Sequence, residues 1–347
     1  MTAPFAPPLK LSRRITLFAA LIRRFYFRRV DVVGAPLSAK PTLFIASHRN
    51  GGADGSVYAE ALGDVPSLVS VQLLRSPFLR LFINGIPVVR DTDRARYGIR
   101  ADAVPSPLAA GIEQIRAGGS LCLYPEGTSE WQPRPQPYLG GMGVMAAKLK
   151  AAGADFVVQP LGVFYSKPDG FRSRVSIVMG EAFYPQADGV KALQAELADA
   201  LDRVSVCCAD VEAFNAAQSA AWQAVQNGED FGAAFLVAQE TGCRSDVPPP
   251  SPPVRTWAKI LFAASFPLPA AAALWAQCRS DGRNNVSFLR VVGGVYGALF
   301  QVACWLTLLL FSPAAVLLWL AAGVAGWYFY PEPLPIPLTE ADGEGTA

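Results

Sequence analysis

The sequence predicts an α/β domain, a mixed sheet flanked by helices, followed by C-terminal membrane helices. Three observations carry this prediction. Short apolar runs ending at turns alternate with helical patterns over residues 36–247, the pattern of an α/β layer fold. The run Pro248-Pro249-Pro250-Ser251-Pro252-Pro253 then interrupts the chain, because consecutive prolines continue neither a helix nor a central strand. Beyond it, residues 291–330 contain no charged residue.

Taken in order, residues 1–35 read as a basic amphipathic, membrane-associating segment. The first 40 residues hold eight bases and one acid (Asp31), a local charge of +7 in a chain whose net charge is +2. Phe25, Tyr26 and Phe27 are interleaved with arginines, which suits an anionic membrane surface. No nucleic-acid-binding motif accompanies the basic patch, so nucleic acid is not an expected partner. Arg13 and Arg14 precede the apolar run 15–22, but Arg23 and Arg24 follow it where a signal peptide has small residues. An uncleaved interfacial helix is therefore expected.

Within 36–247, strands are expected at 42–46, 87–89, 120–124, 156–165 and 175–179, from their apolar, β-branched content. Helices are expected at 58–62, 107–117, 142–152 and 191–227. The linker is 248–253, the membrane region 254–335 and an acidic tail 336–347. Forty uncharged residues at about 1.5 Å per residue make about 60 Å of helix, two bilayer crossings, with Ser312-Pro313 as the break and Trp327, Tyr328 and Tyr330 as an interfacial aromatic end. Residues 257–278 carry Pro267 and Pro269 and read as a kinked or re-entrant helix that does not cross.

Composition narrows the class. The chain has 347 residues, of which 52% are hydrophobic and 17% charged. An ordinary soluble domain carries about 25% charge, so a purely soluble chain is excluded, and so is disorder. Six cysteines form no C-x-x-C pair and read as free thiols of a reducing compartment rather than a zinc site. One histidine is present, His48, so any imidazole chemistry falls to it.

Four segments carry candidate chemistry. In Ser47-His48-Arg49-Asn50-Gly51-Gly52-Ala53-Asp54, an apolar strand delivers His48 to a glycine turn with Asp54 six residues on. A carboxylate at one ring nitrogen fixes the tautomer and makes the other a general base; Asp54 also reads as a simple helix N-cap. In Tyr124-Pro125-Glu126-Gly127-Thr128-Ser129 a strand ends in a polar turn, the place where α/β folds bind ligands, or simply a Pro-Glu-Gly turn. Gly85-Ile86-Pro87-Val88-Val89-Arg90 ends a strand with an arginine suited to phosphate or to a surface ion pair. Val157-Val158-Gln159-Pro160 reads as structural.

In this order the segments resemble the glycerolipid acyltransferase family typified by 1-acylglycerol-3-phosphate acyltransferase, with its H-x4-D, G-x-x-F/P-x-x-R, F-P-E-G-T and V-P-x-x-P blocks. The resemblance covers about residues 20–185, including the lead-in Phe27–Gly34. It implies that His48 and Asp54 are catalytic and that Arg90, Glu126, Gly127 and Thr128 bind substrate. The implied reaction is transfer of an acyl group from acyl-CoA or acyl-ACP, as co-substrate, to a hydroxyl of a glycerol-phosphate or lysophospholipid. Backbone N–H groups near Gly127 or in the Gly51–Gly52 loop are the candidate oxyanion donors. No metal or other cofactor is implied; the partners are membrane lipids and the acyl donor, at the cytoplasmic face of a bacterial inner membrane or its equivalent.

The first block departs from the family in being H-x5-D, a form similar to glycerol-3-phosphate and dihydroxyacetone-phosphate acyltransferases. The second block is one residue short before Arg90, and Ser129 stands where an arginine often follows E-G-T. With that arginine absent, Arg90 and Arg49 are the remaining phosphate candidates. Two other functions stay open from sequence: a phosphate-free lysolipid acceptor, and a catalytically weak lipid-binding or scaffold protein of the same fold.

Overall fold

The computed structural model describes residues 7–89, 91–100, 106–242, 255–280 and 282–339. Arg90, the proline run 248–253 and the acidic residues beyond 339 lie outside the described residues.

The chain opens with α1 (Arg13–Tyr26) and continues through β1 (Arg29–Gly34), β2 (Thr42–Ala46), α2 (Gly51–Leu62), β3 (Leu68–Ser70), α3 (Val71–Arg75), β4 (Ile86–Val88), α4 (Asp91–Tyr97), α5 (Pro107–Arg116) and β5 (Leu121–Leu123). It goes on with α6 (Gly141–Ala151), β6 (Val157–Tyr165), β7 (Arg174–Met179), α7 (Val190–Asp202), α8 (Val211–Gln226) and α9 (Phe231–Thr241). The last helices are α10 (Thr256–Ser265), α11 (Pro267–Gln277), α12 (Val286–Leu309) and α13 (Pro313–Tyr328).

The five-stranded sheet has the order β1-β7-β6-β2-β5. It is mixed: β2 runs parallel to β5 and β6, β6 and β7 are antiparallel, and β1 is parallel to β7. Alternate residues feed two cores. Leu43, Ile45, Leu121 and Leu123 pack with Met145 and Leu149 of α6 and Leu197 of α7 on one face. Phe44, Ala46 and Cys122 pack with Tyr58 of α2, Phe214 and Trp222 of α8 and Phe235 of α9 on the other. A sheet covered on both faces explains why these strands read as continuous apolar runs. Each buried leucine contributes about 1.5–3 kcal/mol. Pro160 sits in a central strand opposite Gly180 of the β7 side: its carbonyl accepts the Gly180 N–H at 2.9 Å, and the Gln159 side-chain amide donates to the Gly180 carbonyl at 3.0 Å in place of the missing Pro160 N–H.

Several elements differ from expectation. The sheet reaches back to Arg29, inside the segment assigned to the membrane. The expected helix 191–227 is two helices, because the Asp210 side chain accepts the Ala213 N–H and starts α8 anew. The chain does break around Ser312, and α10 and α11 meet at a 100° bend. Yet the two helices of 291–330 are not each other's main partners. Gly293 and Gly297 of α12 pack on the Ala272 and Leu268 carbonyls of α11, and Gly326 of α13 packs on Phe262 of α10, the close approach that small residues permit. Among the described residues, one helix, 283–309, is long and apolar enough to cross a membrane, while α13 is shorter, at 16 residues. Trp327 stacks on Phe25 of α1 and its indole N–H donates to the Phe25 carbonyl at 2.9 Å, so α13 ends docked on the α/β domain.

Candidate active site

Because β2 and β5 are adjacent and parallel, their following loops leave the sheet at the same edge. The pairing Ile45↔Leu123, continued three residues, brings His48 level with Glu126. The His48 backbone N–H donates to Glu126 Oε1 at 2.7 Å, and the imidazole stacks on the Tyr124 ring at 4.6 Å.

His48 Nδ1 lies 2.8 Å from Asp54 Oδ2. Asp54 is completely buried. Its Oδ2 also accepts the backbone N–H groups of Arg49 (2.7 Å) and Asn50 (2.8 Å), and its Oδ1 accepts the Tyr165 hydroxyl at 2.5 Å. Asp54 therefore combines its two sequence readings: it satisfies backbone donors at the entry to α2 and it orients His48. With Nδ1 directed at Asp54, Nε2 is the nitrogen left to accept a proton. Burial and the Asp54 carboxylate push the Tyr165 phenol well above its ordinary pKa, so it stays an O–H donor. Tyr165 ends β6, and only the tertiary fold shows that it belongs to the site. Ser47 is turned into the core, where its hydroxyl accepts the Val163 N–H, and it makes no relay with His48.

The site opens on a cavity of about 650 Å³ lined by His48, Gly51, Gly52, Tyr124, Gly127, Thr128 and Ser129. Its walls are largely apolar: Ile15 and Ala19 of α1, Leu62 of α2, Val69 of β3, and Met142 and Met145 of α6. Cys122 also lines it, with a thiol that burial pushes up to about 12, a poor nucleophile at neutral pH. Among the described lining residues none is Lys, Arg, Asp or Glu. Among the described residues, no group of three His, Cys, Asp or Glu side chains is placed to hold a metal.

Three of the expected site groups are engaged by other parts of the protein. Glu126 is 4% exposed and does not line the cavity. Its Oε1 accepts the His48 N–H and its Oε2 accepts the Gln136 N–H at 3.2 Å, so both carboxylate oxygens are engaged in bracing the loop that follows β2. Burial pushes its pKa up, opposed by the His48 N–H and Arg49. Arg49 is buried, donates to the Gln132 carbonyl at 2.6 Å and lies over the Trp131 ring. It neutralises the carboxylates around it and is not available to a phosphate. The Gly127 N–H, a candidate oxyanion donor, is taken by the Tyr124 carbonyl at 3.0 Å in a turn with φ +68°. The neighbouring Thr128 and the start of α2 at Gly51–Gly52, all in the cavity wall, remain as candidate donor sites.

Asn284, Asn285 and Phe288 had no signal in the sequence. Asn285 and Phe288 nevertheless line the cavity, and Asn284 Nδ2 donates to Ser129 Oγ at 2.9 Å.

No protein-family model matches this chain, and neither does any curated protein. Among solved structures, the 1-acyl-sn-glycerophosphate (LPA) acyltransferase PlsC from Thermotoga maritima matches with a TM-score of 0.41 and 17% identity. The match covers 55% of this chain and 76% of that one. A likeness at that level assigns neither a family nor a reaction.

Proposed function

We propose that this protein is a membrane-associated acyltransferase. It moves a fatty acyl group from an acyl thioester, acyl-CoA or acyl-ACP, to a hydroxyl of a glycerol-phosphate or lysophospholipid acceptor. The observation that carries the reading is the His48–Asp54 pair at 2.8 Å, seated at a largely apolar cavity.

In this mechanism His48 Nε2 takes the proton of the acceptor hydroxyl as that oxygen attacks the thioester carbonyl. Asp54 holds the imidazole and faces the imidazolium as it forms. The negative charge on the tetrahedral oxygen is met by N–H groups at the start of α2, where the helix dipole also favours an anion. The C–S bond then breaks, and the thiolate leaves with the proton returned from His48. The apolar walls take hydrocarbon. The exposed row Leu17, Leu21 and Phe25 on α1, together with α12, seats the enzyme at the bilayer, at its cytoplasmic face.

A second acceptor class has an observation in its favour. The described cavity wall offers hydroxyls and amides and no cation, and Arg49 is committed elsewhere. That lining suits a phosphate-free lysolipid, whereas a phosphate would depend on Arg90. The test is acceptor-dependent thiol release from acyl-CoA by the purified full-length protein, with lysophosphatidic acid, glycerol 3-phosphate and neutral lysolipids compared. Release that no acceptor stimulates contradicts the acyltransferase reading. A KM for a phosphorylated acceptor that rises in Arg90→Ala supports the phosphate class, and an unchanged KM supports the phosphate-free class.

A further inference from the structure

The foot of the membrane-length helix is built into the catalytic edge of the sheet. In the 3-10 turn Arg283–Asn285 and the first turn of α12, Asn285 and Phe288 lie against Gly51 and Gly52, and Asn284 bonds Ser129. Asn284, 155 residues from Ser129, donates to both its hydroxyl and its carbonyl. Arg283 pairs with Asp169 at 3.2 Å, and Arg290 donates to the Asp169 carbonyl. Ser287 donates to the Pro168 carbonyl, which also accepts the Asn50 side-chain amide at 2.9 Å. The loop that follows β2 and the loop that follows β5 are thus both fastened to one segment.

Two side chains of that segment enter the cavity wall. A Cβ on Gly52 would lie 2.7 Å from the Phe288 ring, and one on Gly51 would overlap the Asn285 carboxamide. The glycines after His48 therefore make room for the foot of α12 as well as for the turn. Gly51 has φ +48°, a conformation most side chains avoid. Asn285 shares the wall with His48, Gly51, Thr128 and Ser129. A carboxamide donates and accepts at once, which matches a head group bearing hydroxyls.

We propose that Asn285 is a specificity-determining residue that contacts the acceptor. Its carboxamide hydrogen-bonds the acceptor head group and selects which hydroxyl reaches His48. Asn284 acts through Ser129 and is a positioning residue. This assignment rests on the acyltransferase reading. It makes the membrane helix part of the substrate site as well as an anchor.

The experiment compares wild type, Asn285→Ala and Asn285→Asp as full-length proteins in mixed micelles, with palmitoyl-CoA as donor and lysophosphatidic acid or 1-acylglycerol as acceptor. Asn285→Ala should raise the acceptor KM about tenfold, the loss of one hydrogen bond to a substrate, with a much smaller change in the KM for palmitoyl-CoA. Asn285→Asp adds a negative charge. It should move the ratio of kcat/KM for the two acceptors about tenfold toward the uncharged one, since like charges disfavour binding. A structural role alone lowers both acceptors together and leaves the ratio at its wild-type value; that result overturns the assignment. Should wild type use only one acceptor, its KM in Asn285→Ala decides. Should the alanine variant fail to fold, Asn285→Ser replaces it. A wild type that transfers to neither acceptor overturns the acyltransferase reading and this assignment together, an outcome distinct from a wild-type ratio in an active variant.

Discussion

The loops after β2 and β5 and the helices after residue 255 are held together by opposite means. The loops form a buried polar network: Asp54 takes four hydrogen bonds and Glu126 two, with Arg49 as the counter-charge. The helices pack through glycines and present large apolar side chains outward, among them Phe300, Leu310, Phe311 and Leu318. Each loop partner is chosen by direction and distance, so a single substitution there is costly. The outward helical faces need only be apolar, so their individual residues are interchangeable. The two regimes meet at the foot of α12.

Substitutions in the loops should therefore be large and specific. Asp54→Asn supplies one acceptor oxygen where four donors converge and leaves the His48 tautomer unfixed. It should lower kcat about 10³-fold, measured as acceptor-dependent thiol release; retention of wild-type kcat would separate His48 chemistry from Asp54. Arg49→Ala removes the cation between Glu126 and Asp54 and its stacking on Trp131. It should lower unfolding stability by about 3 kcal/mol, seen in denaturant titration; an effect under about 0.5 kcal/mol would place Arg49 among the interchangeable residues.

Glu126→Gln is the smaller and sharper test. It keeps one acceptor oxygen and puts an amide donor against a backbone N–H. As a positioning residue, Glu126 should show a kcat loss of about tenfold with acceptor KM unchanged. A raised acceptor KM at constant kcat would restore direct substrate binding. The pH dependence has a defined sign. Burial raises the Glu126 pKa above its ordinary 4.5, so the stability gained from its protonated form is full below that pH and lost as pH rises through the folded value. The stability advantage of wild type over Glu126→Gln should thus be widest below about pH 4.5 and shrink toward neutrality, followed by thermal midpoint.

The sheet's core was legible because β2, β5, β6 and β7 are buried on both faces and read as apolar runs. β1 was not, being an edge strand set among arginines and partly exposed. β3 is three residues long, too short for a periodic signal. Asp210 and Asp230 cap α8 and α9, local signals that a search for apolar runs passes over. That His48, Asp54, Gly127 and Thr128 gather at one edge of the sheet was legible from their order along the chain. The bracing role of Glu126 was not, since it depends on the register of β2 against β5. Tyr165 and Asn285 reach the site through tertiary contacts, which no local pattern records.

The central claim is that the lone imidazole performs acyl transfer. The most direct measurement is acceptor-dependent thiol release from acyl-CoA by His48→Ala, with its thermal midpoint read alongside. A folded variant whose release falls about 10³-fold below an active wild type is the predicted result. A folded variant that transfers at the wild-type rate would contradict it.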